Sequence, residues 1–206
     1  MRAGRAIARF FLLLAFFYTL FIVPWPGLEH AYARVFESGA GAVFGSFGSD
    51  GAVRFVPSTA TDDPTNTDIL LWNRRKRAGG WMQFSSRAQG YVPVAFLTAL
   101  ILSTPLPLRR KVWAFLLGML LLHAFIALKL LVALTHFFSV DRSFALFTPS
   151  QFWQGILSEV MKFVAFAPFF SRVVATFIWI LVTFRRDDIK TMLDRTTAGR
   201  QPCSKA

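Results

Sequence analysis

The residues able to do chemistry are few and lie far apart in an apolar chain. His123, Lys129, Glu159 and Arg172 fall inside or beside apolar runs, and Arg74, Arg75, Lys76 and Arg77 form a basic cluster in a polar stretch. An enzyme needs a nucleophile with an activating base, a pair of carboxylates or a metal cluster. None has a recognisable spacing: His30, His123 and His136 are scattered, and no serine sits in a nucleophile elbow. The sequence therefore points to no catalytic residue, no metal ligand and no cofactor.

Charges in apolar runs carry more information, because one at the bilayer centre costs about 2.5–3.5 kcal/mol on insertion scales unless it snorkels or pairs. Lys129 lies near the outer end of its run and can snorkel, but Glu159 is the carboxylate best placed to neutralise it, so the two are expected to pair. Arg172 lies deeper, beside Pro168, and is expected to bond carbonyls freed near that proline, or a partner chain. His123 is near mid-run and is expected to face another helix, as a hydrogen-bonded interior histidine before a proton relay or metal ligand. The Arg74–Arg77 cluster reads first as a solvated turn. Its alternative is an anion site for a lipid headgroup, a polysaccharide or an acidic peptide.

The elements that must position these residues centre on residues 90–134, two apolar runs joined by Pro105-Leu-Pro-Leu-Arg-Arg-Lys111. At ~1.5 Å per residue the second run, 112–134, covers roughly 30 Å of hydrocarbon, whereas the first spans marginally. Pro105 and Pro107 belong at a water interface, and Arg109, Arg110 and Lys111 mark its cytoplasmic side. Before the hairpin, Phe10–Val23 is an apolar block with Arg2, Arg5 and Arg9 ahead of it and Pro24-Trp25-Pro26-Gly27 behind it. An uncleaved anchor is the preferred reading, and a signal peptide with Ala31-Tyr32-Ala33 as its small-x-small site is the other.

Leu28–Phe36 has helical spacing suited to a short interfacial helix, with Gly39, Gly41, Gly45 and Gly48 as an exit loop. Ala52–Val56, Ile69–Trp72 and Met82–Ser86 read as about three strands punctuated by Pro64-Thr-Asn66 and Gly79-Gly80. So small a sheet must rest on the membrane helices or on a partner. After a return loop over 135–150, Pro149-Ser150 opens a final helix kinked at Pro168 and closed by Arg185-Arg186, followed by a polar tail.

The fold class expected is a membrane all-α protein with about four transmembrane helices and a small extracytoplasmic β-containing insertion. Its divisions are an anchor over 1–27, an extracytoplasmic segment over 28–89, a three-span helical domain over 90–186 and a cytoplasmic tail over 187–206. Composition agrees with a bilayer: 54% hydrophobic residues, 24 Phe among 206 and only 17% charged. The net charge of +12 lies largely beside apolar runs, where orientation and anionic lipid explain it, and no aromatic-interleaved groove argues for nucleic acid. The single cysteine, Cys203, excludes an intrachain disulfide.

The layout of a first span, a proline-terminated outer helix, short extracytoplasmic strands, GYVPVAFLTALILSTP, the basic turn and a kinked helix ending in FRR resembles the small exosortase-associated membrane proteins of bacteria, most nearly the exosortase H-associated type. Pro105–Leu134 is also similar to the closing helices of exosortases and archaeosortases, which use Cys with Arg. Here Cys203 lies in the tail, and Ile126 stands where an Asn would precede Lys129 by three, so no catalytic role carries over. The resemblance implies a non-enzymatic inner-membrane accessory or assembly subunit for surface-protein sorting or envelope polysaccharide export, with an exosortase as its membrane-protein partner. The competing reading is a catalytic or transport component with a polar site at Lys129, Glu159 and Arg172. Both place the chain in a bacterial inner membrane, multi-pass, with its termini in the cytoplasm, among lipids and without nucleic acid.

Overall fold

The computed structural model describes residues 2–23, 28–58, 66–166 and 168–184. The 24–27 segment, the turn at Pro64-Thr65, Arg185-Arg186 and the tail with Cys203 lie outside the described residues. Within them run α1 (Arg2–Ile22), α2 (Leu28–Phe44), β1 (Ser46–Phe47), β2 (Gly51–Pro57), β3 (Asn66–Asn73), β4 (Ala78–Ser85), a π-helical turn (Arg87–Tyr91), α3 (Val92–Ser103), α4 (Leu108–Val140), α5 (Gln151–Phe166) and α6 (Pro168–Thr183).

This is a mostly helical α+β fold, and it corrects the expectation of an all-α protein with about four spans. Among the described residues only Gly4–Ile22 and Leu108–Val140 are long and apolar enough to cross a membrane. At ~1.5 Å per residue, α3 alone reaches roughly 18 Å and α6, counted from Pro168, roughly 24 Å, against a hydrocarbon core of about 30 Å, and the return from the sheet to Leu108 is shared by the π-helical turn, α3 and residues 104–107. The strands are a full antiparallel sheet in the order β1-β2-β3-β4.

The helices build one apolar body. Leu97 and Ile101 of α3, Ala114, Leu122 and Ile126 of α4, and Ala175 and Ile178 of α6 share a core. Gly118 permits the approach of α3 and α4, since a Cβ there would meet Leu97 and Ile101 at 3.3 and 3.4 Å. Alongside, α1 packs on α3 through Tyr18 against Phe96, and the Tyr91 hydroxyl donates to the Phe21 carbonyl at 2.5 Å.

One end of this body is basic. Arg110 donates to the Thr183 carbonyl at 2.9 Å and Lys111 to the Leu102 carbonyl at 2.8 Å, so two cations of the first turn of α4 cap the C-terminal ends of α6 and α3. A helix C-terminus carries partial negative charge, which makes this arrangement favourable. Trp179 donates to Thr104 and stacks on Phe10, which brings the start of α1 to the same end.

The sheet closes the opposite end. Strand alternation puts Val53, Phe55, Ile69 and Leu71 inside, and Arg54, Leu70, Trp72 and Trp81 outside. The inside face shares its core with Ala40 and Phe44 of α2 and with Leu130, Leu134 and Phe138 of α4. Helix α4 continues to Val140, through residues expected to form a return loop, because Phe138 is wholly buried against Phe47 and Phe144.

Two glycine expectations also change. Gly39 and Gly41 lie inside α2, which runs on to Phe44 because Ala40 and Phe44 bury against the sheet. Gly79 and Gly80 lie inside β4 rather than at a turn: a Cβ would come 2.5 Å from the Trp72 ring at the first and 2.8 Å from the Phe144 ring at the second. The turn itself is Arg74–Arg77, held by Asn73. Its side-chain oxygen accepts from the Arg75 and Lys76 amides at 3.0 Å each, and its amide nitrogen donates to the Phe144 and Ala145 carbonyls at 3.1 and 3.2 Å.

Because the sheet and α4 share one core, Phe138→Ala should lower stability by about 3–5 kcal/mol, with both elements melting in one transition. A sheet that unfolds separately from the helices, seen by hydrogen exchange during thermal titration, would show that the core is not shared. The α2–sheet contact gives a pH test. Burial pushes the Glu37 carboxyl up, against the opposing pull of a hydrogen bond from Thr67 at 3.2 Å and of the Arg34 guanidinium. Since the folded carboxyl holds its proton more tightly than the unfolded one, stability should fall as pH rises from the ordinary glutamate range to the raised value. In Glu37→Gln that slope should flatten.

Candidate functional site

The site is built around Lys129, which is only 4% exposed although its neighbours along α4 are apolar. Its helix face also carries Ile126, Leu130 and Ala133, which turn it inward, and its four-carbon stem packs among them. The ammonium meets groups from two other elements. It donates to Ser171 Oγ on α6 at 3.0 Å and to Gln89 Oε1 on the π-helical turn, and it lies 5.9 Å from the centre of the Phe125 ring. Such π-helical turns, wider than α turns, are frequent at functional positions, and this one carries Gln89 to the lysine.

The other anticipated members are elsewhere. Glu159 does not neutralise Lys129: it pairs with Lys162 at 2.5 Å, three residues along α5, with both side chains more than 60% exposed. The pairing wins because i,i+3 neighbours already face each other on a helix surface, at no cost of burying a carboxylate. Among the described residues, no hydrogen bond joins Arg172 to the carbonyls freed near Pro168. Its guanidinium lies 5.4 Å over the Phe169 ring, and its Nε has no hydrogen-bond acceptor among the described residues. Ser171, its neighbour in sequence, is the residue that reaches Lys129.

His123 does not face the interior. It is exposed on α4, with Nδ1 2.8 Å from the Met119 carbonyl, at the edge of an apolar groove of about 280 Å³ between α2 and α4. Arg74, Arg75, Lys76 and Arg77 form the exposed β3–β4 turn, in which Arg77 has φ 51° and Lys76 donates to the Arg142 carbonyl at 3.0 Å.

Sequence reasoning missed Gln89 and Ser171. The available signal was polarity at the margins of apolar helices: Gln89 directly precedes Gly90-Tyr91, and Ser171 is a small polar residue in a run of Phe and Val. Chemically the arrangement is a desolvated cation held by two neutral acceptors. Charge-assisted hydrogen bonds of about 1.5–3 kcal/mol each offset part of a desolvation cost of several kcal/mol. Beside it lies a cavity of about 370 Å³ lined by β4, the π-helical turn, α4 and α5. No family model, curated protein or solved structure matches the chain.

The geometry makes Lys129 and Glu159 independent. In a double-mutant cycle Lys129→Met and Glu159→Gln should be additive to within about 0.5 kcal/mol, as expected for sites with no shared partner. Glu159→Gln alone should cost no more than about 1 kcal/mol, the scale of an exposed ion pair. A larger coupling would return the two residues to a common site.

Proposed function

We propose that this chain is a non-enzymatic accessory or assembly subunit of a bacterial inner membrane, multi-pass, with its basic end in the cytoplasm and its sheet on the opposite side. The observation that carries the reading is the outward face of α4: Trp113, Leu116, Leu117, Leu120, Leu128 and Leu131 are all exposed on a helix long and apolar enough to cross a membrane. A face this apolar requires lipid or a partner helix. Against the competing catalytic or transport reading stands the dispersal of its residues, since Glu159 is paired at the surface and Arg172 lies over a ring.

The orientation is supported by the gathering of Arg109, Arg110 and Lys111 at the end where α1 begins. An exosortase as partner, and a place in surface-protein sorting or polysaccharide export, rest on the resemblance of layout and of GYVPVAFLTALILSTP.

In a Cys203→Ser background, Ala78→Cys should react with an impermeant thiol reagent in intact spheroplasts, and Leu108→Cys should react only after permeabilisation. The reverse pattern overturns the orientation. Deleting the chain should abolish processing of a C-terminal sorting signal in cells, and the chain should co-purify with the sorting enzyme in mild detergent. Normal processing in its absence overturns the sorting assignment.

A further inference from the structure

The cavity beside Lys129 combines two kinds of wall. Phe84 of β4, Phe137 of α4 and Met161 of α5 contribute apolar lining, and Trp81, 62% exposed, stands among the lining residues of the edge strand. Gln83, Ser85, Gln89 and Lys129 contribute the polar lining, Lys129 the only cation in it. At about 370 Å³ it falls within the range of roughly 300–1,000 Å³ typical of small-molecule sites.

Depth in the membrane narrows the ligand. Lys129 lies roughly 32 Å along α4 from Leu108 at ~1.5 Å per residue, close to one hydrocarbon thickness of about 30 Å. With Leu108 at the cytoplasmic interface, the ammonium reaches the level of the opposite headgroups. The apolar walls flank it at the same junction of sheet and helices.

Charge narrows it further. An ammonium has three donors, and the described residues use two of them, on the neutral acceptors Gln89 and Ser171. Glu159, the nearest acid anticipated from the sequence, is committed to Lys162. A desolvated cation with no counter-charge among the described residues is costly, and an anion brought to its remaining donor recovers that cost.

We propose that this cavity binds an anionic amphiphile, with a phosphate or carboxylate head on the Lys129 ammonium and its acyl chain against Phe84, Phe137 and Met161. The ligand site depends on the membrane placement of α4 but on no partner protein, so loss of the sorting assignment leaves it standing. Apolar walls select a lipid over a free anion. The cationic floor selects an acidic head over a zwitterionic one.

The test uses the full chain in dodecyl maltoside, with dodecyl phosphate as the probe and inorganic phosphate and dodecylphosphocholine as comparisons. Dodecyl phosphate should raise the melting temperature saturably, and a diazirine-bearing analogue should label peptides holding Trp81–Gln89 and Met161. Lys129→Gln should weaken the response at least tenfold, whereas Arg74→Gln with Arg75→Gln in the exposed turn should not. An equal response to inorganic phosphate identifies a free-anion site and overturns the acyl assignment, and an equal response to dodecylphosphocholine overturns the charge selection. Should Lys129→Gln fail to fold, the wild-type labelling map decides. Labelling confined to the outer face of α4 at Leu116 and Leu120, or no saturable response, overturns the proposal.

Discussion

The length of α4 is the constraint on which the rest of the molecule depends. Thirty-three helical residues extend about 50 Å, more than the thickness of a hydrocarbon core at about 30 Å. The far end of the helix still carries apolar side chains, Leu134 and Phe138 among them, which need a dry partner. The sheet supplies it. A small four-stranded sheet cannot bury enough of its own surface, and the protruding helix end cannot stay bare in water, so each solves the other's problem. Asn73 then fixes the join, its amide tying the end of β3 to the segment that leaves α4.

How much of this could be read in the sequence follows from how local each cause is. The apolar blocks of α1 and α4 and the three main strands came from runs and alternation within a few residues, and those elements are present, whereas the expected basic turn is shorter, since Arg109, Arg110 and Lys111 already belong to α4. The span count differs because α3, ended by Pro105 and Pro107, is only 12 residues long, and among the described residues α6 is counted from Pro168. Gly79 and Gly80 suggested a turn by composition, but their lack of a side chain makes room for Trp72 and Phe144, and Phe144 arrives from 64 positions away. Tertiary approach overrode the local rule.

The site was legible only in part, for the same reason. Lys129 announced itself as a charge in an apolar run, but its partners come from a π-helical turn 40 residues earlier and a helix 42 residues later. Sequence spacing offered Glu159 instead, the obvious carboxylate. Pairing by formal charge ignored the competing option open to any exposed acid on a helix, a lysine three positions on.

A comparison of the cations separates structure from function more sharply than any motif. Arg110 and Lys111 end on the terminal carbonyls of α6 and α3, where the helix dipole favours positive charge, so both have a role in holding the fold. Arg74, Arg75, Lys76 and Arg77 occupy an exposed turn, where solvation makes charge inexpensive. Lys129 has neither justification. It caps no helix, meets no carboxylate among the described residues and is withdrawn from solvent, yet two neutral side chains from distant segments converge on it beside a cavity. A methionine of similar length would fill that space without the desolvation cost. The positive charge is therefore best explained by what it can hold.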